Sequence, residues 1–596
     1  MEIETLVSSS SSLAIHPSLP HFVRDLLKDP TNQYTSESLR KTLHALQKKY
    51  KHVPSKLELI TTYKSLLEHD HSLPRNESLL KTLTVRAIRS ESGILNVSVS
   101  LPPNEFSCCY NCHFCPNEPG MPRSYLSNED VFARAAKVNF NTVQQVYSRL
   151  DTLKANGHPI DKLEFRVLGG TFSCYDHSLA DEFIRDLYYA ANTYFAPPEH
   201  KIRPKESLEA EQARNTYTQP HVVGLGVETR PDEITPAEIL RFRRYGVTRV
   251  ELGVQHTDDK LLRRVNRGHG VKHSRAAIKL LKDYGFKVEI HIMADLPGAT
   301  PEGDRECYRQ VLQADPDLIP DYMKDYPCLD VSFTKVKEWK ETGKWQPYAE
   351  RTANAQDLQD VLIYRQQITP KWVRVNRIQR DFRPDHLPCG TQQLGYNSTS
   401  IRTNLAQIVK DAAEQKGIYC QCIRCCEVRD QSYITTEIQY HVAKFPASGG
   451  TEYFLSAEVP RPNRPLLLGF LRLRISPALQ TSILPELQGQ TAMIRELHVY
   501  GKIQEVGGQV KEGTQHLGIG KRLLNMAETL AKIHACDRIA VISGIGVRDY
   551  YARRGYRLQG SYMIKALPTT NLQSQQILQL LLCIIVGIVG ILVTIL

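Results

Sequence analysis

From Ser90 to Arg383, short apolar runs alternate with stretches of helical spacing. The apolar runs Leu163–Leu168, Val222–Val227, Arg249–Val254, Lys287–Ala294 and Val373–Ile378 have the length and β-branched content of buried strands. Between them, Pro236–Tyr245 and Ser274–Tyr284 repeat apolar positions three to four apart, which predicts amphipathic helices. Strand and helix in strict alternation predict parallel β/α units closing into a barrel or partial barrel. From Tyr433 to Ala566 the pattern becomes strand-rich, with strands at Leu466–Ile475 and Met493–Val499, and then helical over Arg522–Ile533. That order predicts a separate α+β unit.

The ends read differently. Residues 1–20 carry the serine run Ser8–Ser12 and no apolar signal core, and are expected to be disordered. Residues 21–88 read as a small helical region with a basic face, marked by Lys48-Lys49-Tyr50-Lys51-His52 and Arg86–Arg89. Residues 385–417 read as a linker with turns, and 418–568 as the second unit. After a polar spacer at 569–576, Ile577–Leu596 contains no charged residue. Twenty such residues at ~1.5 Å each span a ~30 Å hydrocarbon core, which predicts a C-terminal transmembrane anchor. The expected placement is a tail-anchored protein with its body facing the cytosol, in the endoplasmic reticulum or outer mitochondrial membrane.

The 596 residues require two or more domains, and 75 Lys+Arg against 64 Asp+Glu give a net charge of +11. A basic excess suits a polyanion such as RNA, but equally an ordinary solvated surface. Eight of the 14 cysteines gather in two local clusters, Cys108–Cys115 and Cys420–Cys426, rather than spreading as a secreted disulfide framework would. Clusters of this kind point to metals in a reducing compartment.

The first cluster is Cys108-Cys109-Tyr110-Asn111-Cys112-His113-Phe114-Cys115. Cys108, Cys112 and Cys115 form C-x3-C-x2-C, three thiolates on one tight loop. This suits a [4Fe–4S] cluster with one iron left open. A structural zinc would need a fourth ligand. In the second cluster, Cys420, Cys422 and Cys425 suit a zinc knuckle or buried thiols, with Cys426, His386, Cys389 and His441 as further candidates.

Polar residues recur at the ends of the predicted strands, where β/α barrels collect their ligands. They are Gly169-Gly170-Thr171, Glu228-Thr229-Arg230-Pro231, Gly253-Val254-Gln255-His256 and Asp295-Leu296-Pro297-Gly298. In the second unit, Gln515-His516-Leu517-Gly518-Ile519-Gly520 opens a helix directly after the Glu496-Leu497-His498-Val499 strand. Free backbone N–H groups and the positive helix end make an anion cradle there.

The cysteine spacing, with Phe114 before the last cysteine, resembles the radical S-adenosylmethionine (SAM) enzymes. The glycine loop resembles that of the GNAT acetyltransferases. Together the two halves resemble the catalytic-subunit family of the Elongator complex, on Val85–Gly93, Asp161–Phe172, Glu228–Asp232, Asn266–His269, Arg495–Gly501 and Gly555–Gly560. The resemblance implies a partial (βα) barrel of radical SAM type followed by a GNAT domain. It implies SAM contacts at Phe114, Gly169, Gly170, Thr171, Glu228 and Gln255. It implies acetyl-CoA contacts at Lys162, Glu496, Leu497, His498, Val499, Gly518, Ile519, Gly520 and Tyr551. The activity it implies is transfer of a carboxymethyl group to C5 of the wobble uridine of tRNA, from SAM and acetyl-CoA by radical chemistry. The anticodon stem-loop is the expected partner, with a scaffold and a propeller subunit of Elongator. Two rivals remain open on the sequence: a protein lysine acetyltransferase acting on histone or tubulin, and a tRNA-binding subunit without catalysis. One departure stands out. The family generally carries a longer insert between the first two cluster cysteines, cut here to Cys109-Tyr110-Asn111.

Overall fold

The computed structural model describes residues 16–28, 33–85, 89–90, 92–103, 108–380, 404–429, 431, 433–501 and 518–568. Two seven-stranded sheets dominate. The first is wholly parallel and its strands follow chain order: β1 (Leu95–Ser100), β2 (Lys162–Leu168), β3 (His221–Thr229), β4 (Arg249–Gln255), β5 (Lys287–Ile292), β6 (Tyr322–Asp325) and β7 (Arg374–Ile378). Sequential parallel neighbours joined by helical crossovers produce a half-barrel, open at β1 and β7. The local signals are plain in Pro236–Tyr245. Thr235 caps its N-terminus by accepting from Glu238 N, Pro236 starts it, and Gly246 ends it at φ 77°.

The second sheet is β8 (Gln439–Ala447), β9 (Gly450–Val459), β10 (Leu466–Ile475), β11 (Thr491–Val499), β12 (Arg538–Val541), β13 (Arg557–Gln559) and β14 (Tyr562–Ala566), in the order β13-β14-β12-β11-β10-β9-β8. Only β11 and β12 run parallel. The helix Ile519–Ile533 packs its Ile519, Leu523, Leu524, Ala527 and Leu530 onto this sheet. Ahead of both sheets, helices Leu19–Leu26, Ser36–Tyr50, Lys56–His69 and Glu77–Leu83 bury a small core of their own around Phe22, Leu59, Tyr63 and Leu79. Their basic face is partly neutralised from within: Asp25 binds Lys28 at 2.8 Å, accepts from Tyr50 at 2.7 Å and is also bound by Lys49.

The two sheets meet along a seam of buried charge. Arg472 on β10 donates from Nε to Glu496 on β11 at 3.0 Å, and Glu496 also accepts from Tyr322 on β6. Arg474 donates to Asp283 from Nε at 2.9 Å and Nη2 at 2.6 Å. Arg495 binds Asp321 and Glu452. Buried ions cost several kcal/mol each unless paired and hydrogen-bonded, and here every guanidinium has a carboxylate across or beside it. Backbone closeness adds to the seam. A Cβ placed on Gly544 would lie 2.1 Å from the carbonyl oxygen of Val223 on β3, so only glycine lets the two chains touch.

One expectation is overturned. Among the described residues no helix is long and apolar enough to cross a membrane. The described fold is two sheets with an N-terminal helical region, and the C-terminal transmembrane helix expected from 577–596 is not among its helices. The membrane as a partner and the tail-anchored location rested on that helix alone and find no support among the described residues. The segment 577–596 lies outside the described residues, as do residues 1–15, which include most of the expected disordered terminus, and residues 381–403 of the expected linker.

Candidate active site

A cavity of about 810 Å³ opens at the C-terminal edge of the first sheet and reaches towards the second. Cys108, Cys112 and Cys115 line it, with Phe114, Gly170, Thr171, Glu228 and Gln255, and so does Tyr500 at the end of β11. The eight candidates drawn from three separate strand ends and the cysteine loop thus share one chamber, with Gly169 beside them. Gly169 and Gly170 donate their N–H groups to Glu228 Oε1 at 3.0 and 2.9 Å, and Tyr125 donates its hydroxyl to the same oxygen at 2.5 Å. The positive φ of both glycines (149° and 89°) turns the chain so that both amides face that carboxylate.

Around the cysteines the field is positive. Cys112 Sγ accepts from Arg267 Nη1 at 3.4 Å and from Arg230 Nη1 at 3.6 Å. Arg230 is itself held by Asp232 at 2.8 Å and lies 3.3 Å over the Tyr110 ring. The bond to Cys115, then Arg267 and Arg230, holds the Cys112 thiol down to about 4, while the shared proton and burial push Cys115 up. A hydrogen bond with Cys174, joined by one from Thr171, brings the Cys108 thiol down to about 6 against the upward push of burial. Two thiols poised as thiolates, a third beside them and two guanidiniums suit a cluster whose three thiolate ligands leave it with net negative charge. The residues present fit that group.

Behind the cysteines the chamber wall is charged in a way the sequence did not announce. Arg166 donates to Glu251 at 2.6 Å, His291 Nε2 sits 3.2 Å from Glu251, and Asn376 donates to Glu289 at 2.9 Å. Lys324 binds Glu251 as well. Burial would raise the Glu251 carboxyl, but Lys324 and Arg166 outweigh it and hold it well below the usual carboxylate range. Glu251, Glu289 and His291 bring ligand atoms within 4.8 Å of one another. Arg166 and Lys324 already supply the cations there, so the cluster reads as an ion-paired wall. The signal for it was period-2 placement of charge on β2, β4 and β5, read along with the apolar positions only as strand.

The acetyl-CoA candidates lie apart from the chamber. Gly518 caps the helix Ile519–Ile533 at φ 71°, and a Cβ on Gly520 would meet Tyr550 Oη at 2.8 Å and Val499 Cγ2 at 3.4 Å. Ile519, Val499 and Tyr551 belong to this corner, Tyr551 packing edge-on to Tyr550 and Tyr556. Leu497 and His498 stand half-buried on β11, with His498 Nε2 3.0 Å from the Ser92 carbonyl. Glu496 spends its side chain on the seam. Lys162 is half-buried at the start of β2 and does not line the chamber. Gln515, His516 and Leu517 fall outside the described residues.

Cys420, Cys422 and Cys425 bring their sulfurs within 4.8 Å of one another beside β7. Cys426 turns away and hydrogen-bonds the Gln421 carbonyl at 3.5 Å. His441 is not among the gathered ligand atoms, and His386 and Cys389 lie outside the described residues.

Residues 106–310 match the radical SAM superfamily. Over 503 residues the chain is 35% identical to the tRNA uridine(34) acetyltransferase of Methanocaldococcus infernus, covering 82% of this chain and 88% of that protein. It is 33% identical over 503 residues to the Elongator complex protein 3 of Homo sapiens, covering 82% and 87%. The chain belongs to the Elongator complex protein 3 family. Its fold matches the solved archaeal Methanocaldococcus infernus Elp3 with an N-terminal deletion, at a TM-score of 0.65 and 33% identity, over 80% of this chain and all of that one. A radical SAM domain implies SAM and a [4Fe–4S] cluster, and in this member of the Elongator complex protein 3 family the cysteine loop and its arginines sit where such a group would be held.

Proposed function

We propose that this chain modifies the wobble uridine of tRNA, as its relatives named tRNA uridine(34) acetyltransferase do, by placing a carboxymethyl group on C5. The observation that carries this reading is the single chamber shared by Cys108, Cys112 and Cys115 and by Tyr500 of the second sheet. When bound, the reduced cluster with SAM supplies a radical able to take a hydrogen atom from an acetyl methyl group. The protein's own part is position. Cys108, Cys112 and Cys115 would hold the cluster, with Arg230 and Arg267 neutralising it. Gly169, Gly170, Thr171, Glu228 and Gln255 would orient SAM, Glu228 being fixed by Tyr125 and two backbone amides. The Gly518–Gly520 helix start would bind the pyrophosphate of acetyl-CoA, with Val499 and Tyr551 beside it. The ion-paired wall of Arg166, Glu251, His291 and Lys324 keeps the chamber polar yet fully paired, so a nucleobase entering it meets donors and acceptors rather than bulk water.

Arg89, Arg123, Arg134 and Arg149 line the chamber and give a polyanion a cationic surface. RNA loops are read by splayed, unstacked bases, which a chamber of this volume can receive. The relatives named Elongator complex protein 3 support an Elongator assembly, with scaffold and propeller subunits, as the working form. Cys420, Cys422 and Cys425 support one zinc ion, which would pin the segment after β7 to the second sheet.

The test is anaerobic reconstitution with iron and sulfide, then incubation with SAM, reductant, acetyl-CoA and unmodified tRNA. Mass analysis of digested nucleosides should show carboxymethyluridine. Its absence together with acetyl-lysine on an added histone or tubulin would overturn the reading in favour of protein acetylation.

A further inference from the structure

Two further cysteines at the cluster loop are not among the three that would hold the cluster. Cys109 follows Cys108 directly and is exposed. Cys174 closes the short turn Phe172–Cys174 that follows Gly169-Gly170-Thr171, and is half-buried. They are far apart in sequence, yet their sulfurs lie 3.4 Å from each other, at van der Waals contact. Cys108 Sγ lies 3.3 Å from Thr171 Oγ1, on the same turn as Cys174.

We propose that Cys109 and Cys174 are an oxidative-modification site, joined by a reversible disulfide when the protein meets a peroxide. A disulfide sets the sulfurs at about 2.05 Å, so the pair closes by little more than side-chain rotation. The exposed Cys109 attacks one peroxide oxygen and becomes a sulfenic acid, releasing water. Cys174 then attacks the Cys109 sulfur, displaces the sulfenic oxygen as water and forms the S–S bond. Two thiols lose two protons and two electrons in all, and one hydrogen peroxide becomes two waters. A dithiol reverses the step. Stopping at the disulfide spares Cys109 the irreversible sulfinic stage. It also occupies Cys174, which would otherwise be free to trap Cys108, and ties the cysteine loop to the turn after β2. The first cluster cysteine is thereby kept as a thiol for a later cluster.

The consequence for Cys108 rests on its reading as a cluster ligand. The bond itself does not, and it is read without any activity. The full chain, reconstituted anaerobically, is treated with stoichiometric hydrogen peroxide, alkylated and digested without reductant, and linked peptides are sequenced by fragmentation. The expected result is a Cys109–Cys174 link at least tenfold above the untreated sample, erased by dithiothreitol and absent from Cys109→Ser. In Cys109→Ser, which leaves Cys174 free, the same treatment should link Cys174 to Cys108 instead. In the wild type, a link from Cys174 to Cys108, or alkylation of both Cys109 and Cys174 after treatment, overturns the proposal. So does a zinc ion held by Cys109, Cys174 and Glu233, whose ligand atoms also gather within 4.8 Å.

Discussion

Arg495 of the second sheet reaches across to Asp321 of the first, donating from Nη1 to Oδ1 at 3.0 Å and from Nη2 to Oδ2, with both side chains almost wholly buried. Nη2 also donates to the Phe286 carbonyl at 2.7 Å. Removing one partner of a buried pair strands the other charge. Asp321→Ala should therefore cost about 3–5 kcal/mol, far more than an exposed pair is worth. Urea unfolding followed by tryptophan fluorescence checks this; an unchanged midpoint would mean that water replaces the carboxylate.

Lys282 lies in the same seam, with Nζ 3.8 Å from Asp321 Oδ1. Burial pulls its ammonium down to about 8, against the nearby Asp321 and Glu452 carboxylates. Below pH 8 both folded and unfolded chains keep this proton. Between pH 8 and the ordinary 10.5 the unfolded chain binds it and the folded chain does not, so stability contributed by this group rises with pH across that window. Lys282→Met should be more stable than the wild type at pH 7, and the difference should shrink as pH climbs from 8 to 10.5. Melting temperatures of the two proteins at matched pH give the answer.

Arg267 donates to Cys112 and faces any cluster held there. Arg267→Gln removes a positive charge a few ångströms from the group to be reduced, which should lower its reduction potential by on the order of 100 mV. Iron content should stay near that of the wild type, since all three thiols remain. A redox titration followed by electron paramagnetic resonance measures it.

Gly520 tests the acetyl-CoA reading separately. Its missing Cβ leaves room that Tyr550 and Val499 border. Gly520→Ala should weaken acetyl-CoA binding at least tenfold, while SAM cleavage by the reconstituted protein continues. Calorimetric titration with acetyl-CoA and an assay of 5′-deoxyadenosine separate the two.

Cys422→Ser should abolish one bound zinc per chain, measured by metal analysis of the purified protein. An unaltered zinc content would remove the knuckle reading and leave buried thiols.

Much of this was visible in the chain because local signals agreed. The helix Pro236–Tyr245 was delimited to the residue, since Thr235, Pro236 and Gly246 each mark a boundary. The strand Leu466–Ile475 was equally plain, being long and nearly all apolar. Strand β6 went unread because Tyr322–Asp325 is four residues with two charges, too short for a period to show. Strand β1, Leu95–Ser100, alternates apolar with polar residues and lies at the sheet edge, where the parallel pattern thins. The chamber was anticipated at the strand ends, because that position follows from the fold. Its arginines and its carboxylate wall were not. Arg166, Glu251 and Lys324 look like solvent-facing residues until the half-barrel curves them towards one another. Arg472 and Arg474 likewise read as the outer face of a strand, and only the opposing sheet makes them interior. The apolar run at 577–596 was read as an anchor on hydropathy alone, and no helix among the described residues crosses a membrane.

The seam bears on how such chains can be recombined. Its guanidiniums come from β10 and β11, while the carboxylates that answer them across the junction, Asp283 and Asp321, come from the half-barrel. A chimera that imports the second-sheet half of a distant relative inherits one set of charges without its mates. Viable hybrids would have to transplant both banks of the junction together, and the two halves would then change in step rather than as exchangeable modules.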